Sequence, residues 1–339
     1  MVATVLSGTA TPVDLPVGTA GAARELAGVV GKVYRLSAQY TGTEPVQLQW
    51  LRDGVDLVGA TAAVLELPGA HARFAAASEL LGRDLLAICA GEAEGALSDL
   101  NDTRNTQPAL FVIESLLVDG LKAQGRQADL VAGHSLGELV ALYAAGVFDV
   151  NTGLQLMKTR SKLMAAAGGG AMTAVMGFDR AELEQLVDAT EGVVIANDNS
   201  SAQVVLSGSP EAVTAVSGAL KCKRAIPLAV SGAFHSPFMQ AAADAFATTL
   251  DGVSFNDASI PVLSNTDPSP ETSGAALKAK LRSQMITGVR WRETMDRFSA
   301  DGIDTAVEIG PGNVLSGLIK RSCEGITTAQ ISGAADLGL

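Results

Sequence analysis

Positive charge is what this sequence has too little of. Its 24 Lys and Arg face 36 Asp and Glu, a formal net charge of −12, which excludes a general nucleic-acid binder because that needs a basic field. A local basic patch toward an anionic ligand or an acidic protein stays open. Cysteine is nearly as scarce: Cys89, Cys222 and Cys323 are far apart, odd in number and without metal-ligand spacing. That pattern fits a reduced, cytoplasmic protein with no disulfide framework; neither a metal nor a cofactor is expected. Long apolar runs are missing too. The longest, near Leu139 to Phe148, is about half of what a bilayer span requires. No positive charge precedes Arg24, and no compact apolar stretch opens the chain, so the start does not read as a signal peptide.

What is present suits tight helix-on-sheet packing. Of 339 residues 47% are hydrophobic and only 4% aromatic, which allows about two domains or one large domain with an insertion. Residues 1–60 form an atypical amino-terminal segment, rich in Gly, Ala, Thr and Val, with strand-like groups only at "KVYRL" and "PVQLQWL". From Pro68 the pattern sharpens. "GAHARFAAASELLGRDLLAICAG" has helical spacing interrupted at Gly82. "NTQPALFVIESLLVDGLKAQG" predicts a helix from Thr106 with Pro108 in its first turn and Gly125 beyond its end. "ADLVAG" reads as a buried parallel strand and "GELVALYAAGVF" as a helix, the alternation of an α/β sheet.

Residues 171–230 change rhythm. "AMTAVMGF", "GVVIAND", "AQVVLSG" and "KRAIPLAVS" read as strands. Helices capped by Asp179 and by Ser209 with Pro210 separate them in the order βαββαβ. That order is the ferredoxin-like arrangement, inserted into a larger α/β domain over 61–170 and 231–330. The larger pattern resumes with "PVLSN", "SGAALKAKLRSQMI", "WRETMDRFSADG", "TAVEIG" and "GPGNVLSGLIKR".

Gly133-His134-Ser135-Leu136-Gly137 joins the strand "ADLVAG" to a helix. A serine in that turn needs small neighbours, and the Leu136 N–H at the helix start points where an oxyanion would form. A serine nucleophile needs a base, and the chain has three histidines. His71 sits on a polar helix face, and His134 is bound within the turn. His235 in "VSGAFHSPFM" follows a strand end among small residues and is the favoured base. Neither Asp267 nor Asp296 has a context that completes a triad; a main-chain carbonyl can orient an imidazole instead.

"GHSLGE", "GAFHSP", "SNT", "SQMITGVRW" and "EIGPGNVLSGLIKR", with "NDTRNTQPALFVIES" and "ANDNSSAQVVLSG", closely resemble malonyl-CoA:acyl carrier protein transacylases and polyketide synthase acyltransferase domains. The resemblance runs from about Pro68 to Cys323. It implies an α/β-hydrolase-like large domain with the ferredoxin-like insert. It implies Ser135 as the acyl-accepting nucleophile, His235 as its base, and the main-chain carbonyl of Gln284 as the imidazole's partner. Arg160 falls where the malonyl carboxylate is paired, although read alone it is a helix-face arginine. Phe234 resembles the malonyl-selective pattern. The implied partners are malonyl-CoA and acyl carrier protein, with Arg290, Arg292, Lys320 and Arg321 as candidates for a docking patch or as ordinary solvated charges. A discrete monomer serving fatty-acid synthesis is expected. The family's opening Phe-Pro-Gly-Gln-Gly-Ser-Gln, whose first glutamine supplies a second oxyanion donor, is absent; Gln47 in "EPVQLQW" is its nearest echo. Asn313 stands where a lysine is usual. A serine esterase or thioesterase, and a carrier-protein binder without catalysis, are the rival readings.

Overall fold

A computed structural model describes residues 64–230 and 232–338, and the backbone course of strands β1 (Val2–Val5), β2 (Leu51–Arg52) and β3 (Val55–Asp56). The expected strand at "KVYRL" and the residue Gln47 lie outside the described residues, with most of 1–60. The chain is an α/β protein whose described strands form a five-stranded sheet, a four-stranded sheet and the two-stranded pair β2-β3.

The main sheet has the order β11-β10-β1-β4-β9, with β4 (Leu130–Gly133), β9 (Val262–Leu263), β10 (Thr305–Ile309) and β11 (Thr327–Ile331). β4 is parallel to β9 and β10 to β11, whereas β1 lies antiparallel between the two pairs. β4 is buried along its whole length. Val131 packs into the larger core with α3 (Thr103–Ala123), α4 (Gly137–Ala144), α5 (Val150–Ala166) and α8 (Gln240–Asp251). Leu130 and Ala132 face the opposite way, into a second core with α10 (Trp291–Ala300) and α11 (Val314–Ser322). Helices on both faces explain why β4 is apolar rather than alternating. Around this frame stand α1 (Ala70–Leu81), α2 (Leu85–Ala90) and α9 (Gly274–Ser283).

α3 begins at Thr103, three residues before the expected start, with Asp102 accepting from the Arg104 N–H as its cap. Pro108 therefore lies inside the helix, where it cannot bond to the Arg104 carbonyl four residues back. The guanidinium of Arg83 takes that carbonyl, Nη2 to O at 2.5 Å, and donates its Nε to Asn105 Oδ1 at 2.6 Å. A partner from distant sequence thus lets the helix start early. Several further elements went unforeseen, among them β1 in the middle of the main sheet, α8, and β11 at that sheet's edge.

The second sheet is antiparallel, order β6-β7-β5-β8, from β5 (Ala171–Phe178), β6 (Val193–Ser200), β7 (Gln203–Gly208) and β8 (Cys222–Pro227). Its helices are α6 (Arg180–Asp188), capped by Asp179, and α7 (Pro210–Ala219), capped by Ser209. They cover the face carrying Val175, Val204 and Leu206; Met172, Ala174 and Val205 on the other face pack toward Phe234. β6 is tied to the larger sheet's layers by backbone bonds Asp198 N to Val289 O (2.9 Å) and Val289 N to Ala196 O (2.8 Å). The Asp198 carboxylate also pairs with Arg180 and Arg292.

Phe111 is fully buried in the larger core, and the ring lies so close to Gly153 of α5 that a Cβ there would sit 2.1 Å from Phe111 Cζ. Phe111→Ala is expected to cost about 3–5 kcal/mol of unfolding free energy, because a ring-sized cavity is left between two helices that already touch. Urea denaturation measures it; a loss under 1 kcal/mol would contradict this packing.

Candidate active site

β4 ends at Gly133 and α4 starts at Gly137, so the chain must reverse within three residues. A Cβ on Gly133 would lie 1.9 Å from the Gly137 carbonyl oxygen, which leaves glycine as the residue that fits. Ser135 at the apex has φ 54°, and His235 has φ 55°; among the described residues these are the only non-glycine positions with positive φ. Each such conformation costs on the order of 1–2 kcal/mol and persists only when its surroundings enforce it. Here the enforcement is visible. Asn265 accepts the Ser135 N–H at 2.7 Å and donates to the Gly133 carbonyl at 2.6 Å, clamping both sides of the turn.

The two strained residues meet. Ser135 Oγ lies 2.7 Å from His235 Nε2, and His235 Nδ1 lies 2.9 Å from the carbonyl oxygen of Gln284. A carbonyl only accepts, so Nδ1 carries the proton and Nε2 presents its lone pair to the serine. No carboxylate holds the imidazole: Asp267 pairs with Lys280 and Asp296 with Arg292. His235 is buried at 3% exposure. Its pKa falls to about 3, first because burial penalises the imidazolium, then because the Arg160 charge repels it.

Arg160, on α5, is 1% exposed rather than solvated on a helix face. Its Nη1 donates to Gln107 Oε1 at 2.5 Å; its Nη2 donates to Gln284 Oε1 at 3.0 Å and to Ser135 Oγ at 3.2 Å. Burial lowers its pKa to about 10, opposed by the charge of Glu138, so it stays a cation at neutral pH. Arg160, Gln107, Ser135, Leu136 and Phe234 line a cleft of about 360 Å³ whose remaining walls include Met164 and Leu318. At the start of α11 in that wall, Glu308 of β10 accepts the N–H groups of Leu315 and Ser316. The Leu136 N–H meets no acceptor among the described residues.

Of the site residues expected from the sequence, Ser135, Leu136, Arg160 and Phe234 line this cleft, and His235 and Gln284 stand behind it, bonded to Ser135 and Arg160. The other two histidines do not take part in the serine contact. His71 is exposed. His134 donates to Asn199 Oδ1 at 2.8 Å, stands edge-on to Trp291, and has its pKa lowered to about 4 by burial. Arg290 and Arg292 are engaged by Glu293, Asp198 and Asp296, while Lys320 and Arg321 lie exposed at the end of α11. Four polar residues of the site escaped the sequence reading: Gln107, Glu138, Asn199 and Asn265. Glu138 gave the clearest signal, a carboxylate in the otherwise apolar helix "GELVALYA". Among the described residues no group of His, Cys, Asp and Glu is arranged to hold a metal ion, and no helix is long and apolar enough to cross a membrane.

Comparison with known proteins gives a consistent family. An acyl transferase domain matches residues 44–337. The malonyl CoA-acyl carrier protein transacylase of Synechocystis sp. is 51% identical over 286 residues, covering 84% of this chain and 96% of that protein. A crystal structure of the malonyl-CoA:ACP transacylase from Synechocystis superposes with a TM-score of 0.79 at 49% identity, covering 83% of this chain and 94% of the other. A malonyl-transacylase solved in complex with its type II polyketide acyl-carrier protein is also similar, at TM-score 0.74 and 36% identity, over 83% of this chain and 92% of that one.

The lowered histidines set a pH dependence. In the unfolded chain His235 titrates near 6.5 and in the folded chain near 3, so between those values the unfolded state binds the extra proton. Stability from this residue is full above pH 6.5 and is lost as the pH falls, by up to about 1.4 kcal/mol per pH unit. Between pH 4 and 6 the unfolding free energy of the parent chain is expected to fall more steeply with acid than that of His235→Asn, by that slope. Equal slopes in urea titrations would contradict the buried, neutral imidazole.

Proposed function

The chain belongs to the acyl transferase family, whose domain spans residues 44–337, and from that premise we propose that it transfers a malonyl group from malonyl-CoA to the phosphopantetheine thiol of an acyl carrier protein. The observation that carries the reading is a buried guanidinium 3.2 Å from a serine hydroxyl that is itself 2.7 Å from a neutral imidazole. The pair supplies nucleophile and base; the cation supplies a reason for the acyl group to bear a carboxylate.

Ser135 Oγ attacks the thioester carbonyl carbon while its proton passes to His235 Nε2. The Leu136 N–H, at the head of α4, receives the negative charge that develops on the carbonyl oxygen. The C–S bond breaks, coenzyme A leaves as its thiol with the proton from His235, and a malonyl ester stays on Ser135. The carrier's thiol then gives its proton to His235, attacks the ester, and Ser135 recovers the proton as its C–O bond breaks. Arg160 Nε is buried with no acceptor among the described residues; a substrate carboxylate can take that donor and, by displacing the 3.2 Å contact to Ser135 Oγ, Nη2 as well, in two charge-assisted bonds. That carboxylate also offsets the charge that depresses His235. A malonyl group therefore relieves the second of the two main effects that depress its own catalyst, burial being the first, and an acetyl group does not.

The architecture we read as an α/β-hydrolase-like domain over 61–170 and 231–330 carrying a ferredoxin-like subdomain over 171–230; the strand order β6-β7-β5-β8 supports it. We read the chain as a single cytoplasmic protein serving fatty-acid synthesis, with malonyl-CoA as substrate and no metal or other cofactor; the relatives' names support the malonyl transfer. The neighbour bound to a polyketide carrier keeps polyketide synthesis as a second reading. An esterase is disfavoured because water-based deacylation gives no use for Arg160.

Intact-protein mass after incubation with malonyl-CoA is expected to show one malonyl adduct, transferable to carrier protein and absent in Ser135→Ala. Free malonate without carrier acceptance would instead indicate a hydrolase. Arg160→Ala is expected to slow malonyl loading about a hundredfold while acetyl loading changes far less, since only the charged group loses its bonds. Equal losses would sink the role given to Arg160.

A further inference from the structure

Glu138 is fully buried, and the reaction above does not use it. Its Oε2 accepts from Gln284 Nε2 at 2.8 Å and from the Asn265 N–H at 3.1 Å. Those two partners reach the nucleophile's turn, the base and the cation of the site. Asn265 clamps the Ser135 turn from both sides. Gln284 holds His235 by its main-chain carbonyl, donates Nε2 to the Ser135 carbonyl at 2.9 Å, and offers Oε1 to Arg160.

The Gln284 amide must have one polarity. With Oε1 toward Arg160 it meets a donor; reversed, it would press an NH2 group against a buried cation. The two groups on its other side, the Ser135 carbonyl and the Glu138 carboxylate, both accept, so they force the NH2 to turn toward them. Burial pushes the Glu138 carboxyl up, and the Gln284 and Asn265 donors and the Arg160 charge act against that; in the ionised form they favour it has no donor with which to tolerate the reverse. It also supplies the negative charge that opposes the loss of the Arg160 cation on burial.

We propose that Glu138 is a positioning residue for acyl selection: its carboxylate fixes the Gln284 amide, and through it the Arg160 guanidinium, in the register that accepts a carboxylate-bearing acyl group. The proposal rests on the malonyl-transfer reading of this site. It places the specificity of the reaction partly in a residue that touches neither substrate nor nucleophile side chain.

The test compares initial rates of malonyl and acetyl loading on the full chain, read by intact mass, for the parent, Glu138→Ala and Glu138→Gln. Loss of folded protein lowers both rates together and leaves their ratio unmoved; loss of Arg160 register lowers the malonyl rate preferentially. The malonyl-to-acetyl ratio is expected to fall about tenfold or more in Glu138→Ala and about threefold or more in Glu138→Gln, which keeps the shape but not the charge or the acceptor-only character. In an Arg160→Ala background the same changes are expected to leave the ratio where Arg160→Ala alone puts it. If Glu138→Ala does not fold, Glu138→Gln decides. A Glu138→Gln ratio reduced by less than about threefold overturns the proposal while the malonyl-transfer reading stands. A parent chain that takes up no malonyl group overturns both.

Discussion

The contact between Ser135 Oγ and His235 Nε2 is the constraint on which the rest of this molecule turns. It joins residues a hundred positions apart, and both ends sit in backbone conformations that non-glycine residues avoid. Neither end keeps that shape by itself. The serine turn is held by Asn265 and by the absence of a side chain at Gly133, the histidine by the Gln284 carbonyl. Asn265 follows β9 and Gln284 follows α9, so the dyad depends on both of these elements as well as on β4.

That dependence explains which parts were legible in the sequence. Strand, glycine-tight turn and helix around Ser135 are local, and periodicity and small residues carry them. The four strands and two caps of 171–230 are local for the same reason: Asp179 and Ser209 accept from the N–H groups three residues on. The start of α3 was misread because its rescue is not local. Pro108 signals a first turn until Arg83, twenty-one residues before Arg104, takes the orphaned carbonyl. Arg160 is the harder case. Its neighbours along α5 are mixed, and nothing in "MKTRSKLM" says that the guanidinium is buried; the acceptors that hold it, Gln107 and Gln284, come from α3 and the end of α9. The family resemblance supplied what periodicity could not.

Burying a guanidinium is costly unless its hydrogen bonds and charge are answered. Two neutral amide oxygens and one serine hydroxyl take its N–H groups, and the one carboxylate nearby, Glu138, reaches it through Gln284 rather than by direct contact. An ion pair formed directly with Glu138 would occupy the edge that a substrate carboxylate needs. Neutral acceptors satisfy part of the cation and leave it electrostatically hungry, which is the condition for discriminating a charged acyl group from an uncharged one of similar size.

The second sheet contributes to the same end from outside. β6 brings Asn199 to His134, and its neighbour Asp198 is fixed by backbone bonds to Val289 and by Arg180 and Arg292. Asn199 holds the His134 ring, and burial keeps that ring neutral in spite of the bond, so the residue next to the nucleophile does not compete with His235 for its proton. With His134 spoken for by Asn199 and Trp291, and His235 facing the serine through its unprotonated nitrogen, the direction of proton transfer follows from geometry alone. The basicity of His235 is lowered first by burial and next by Arg160, and a carboxylate that answers Arg160 removes the second of these.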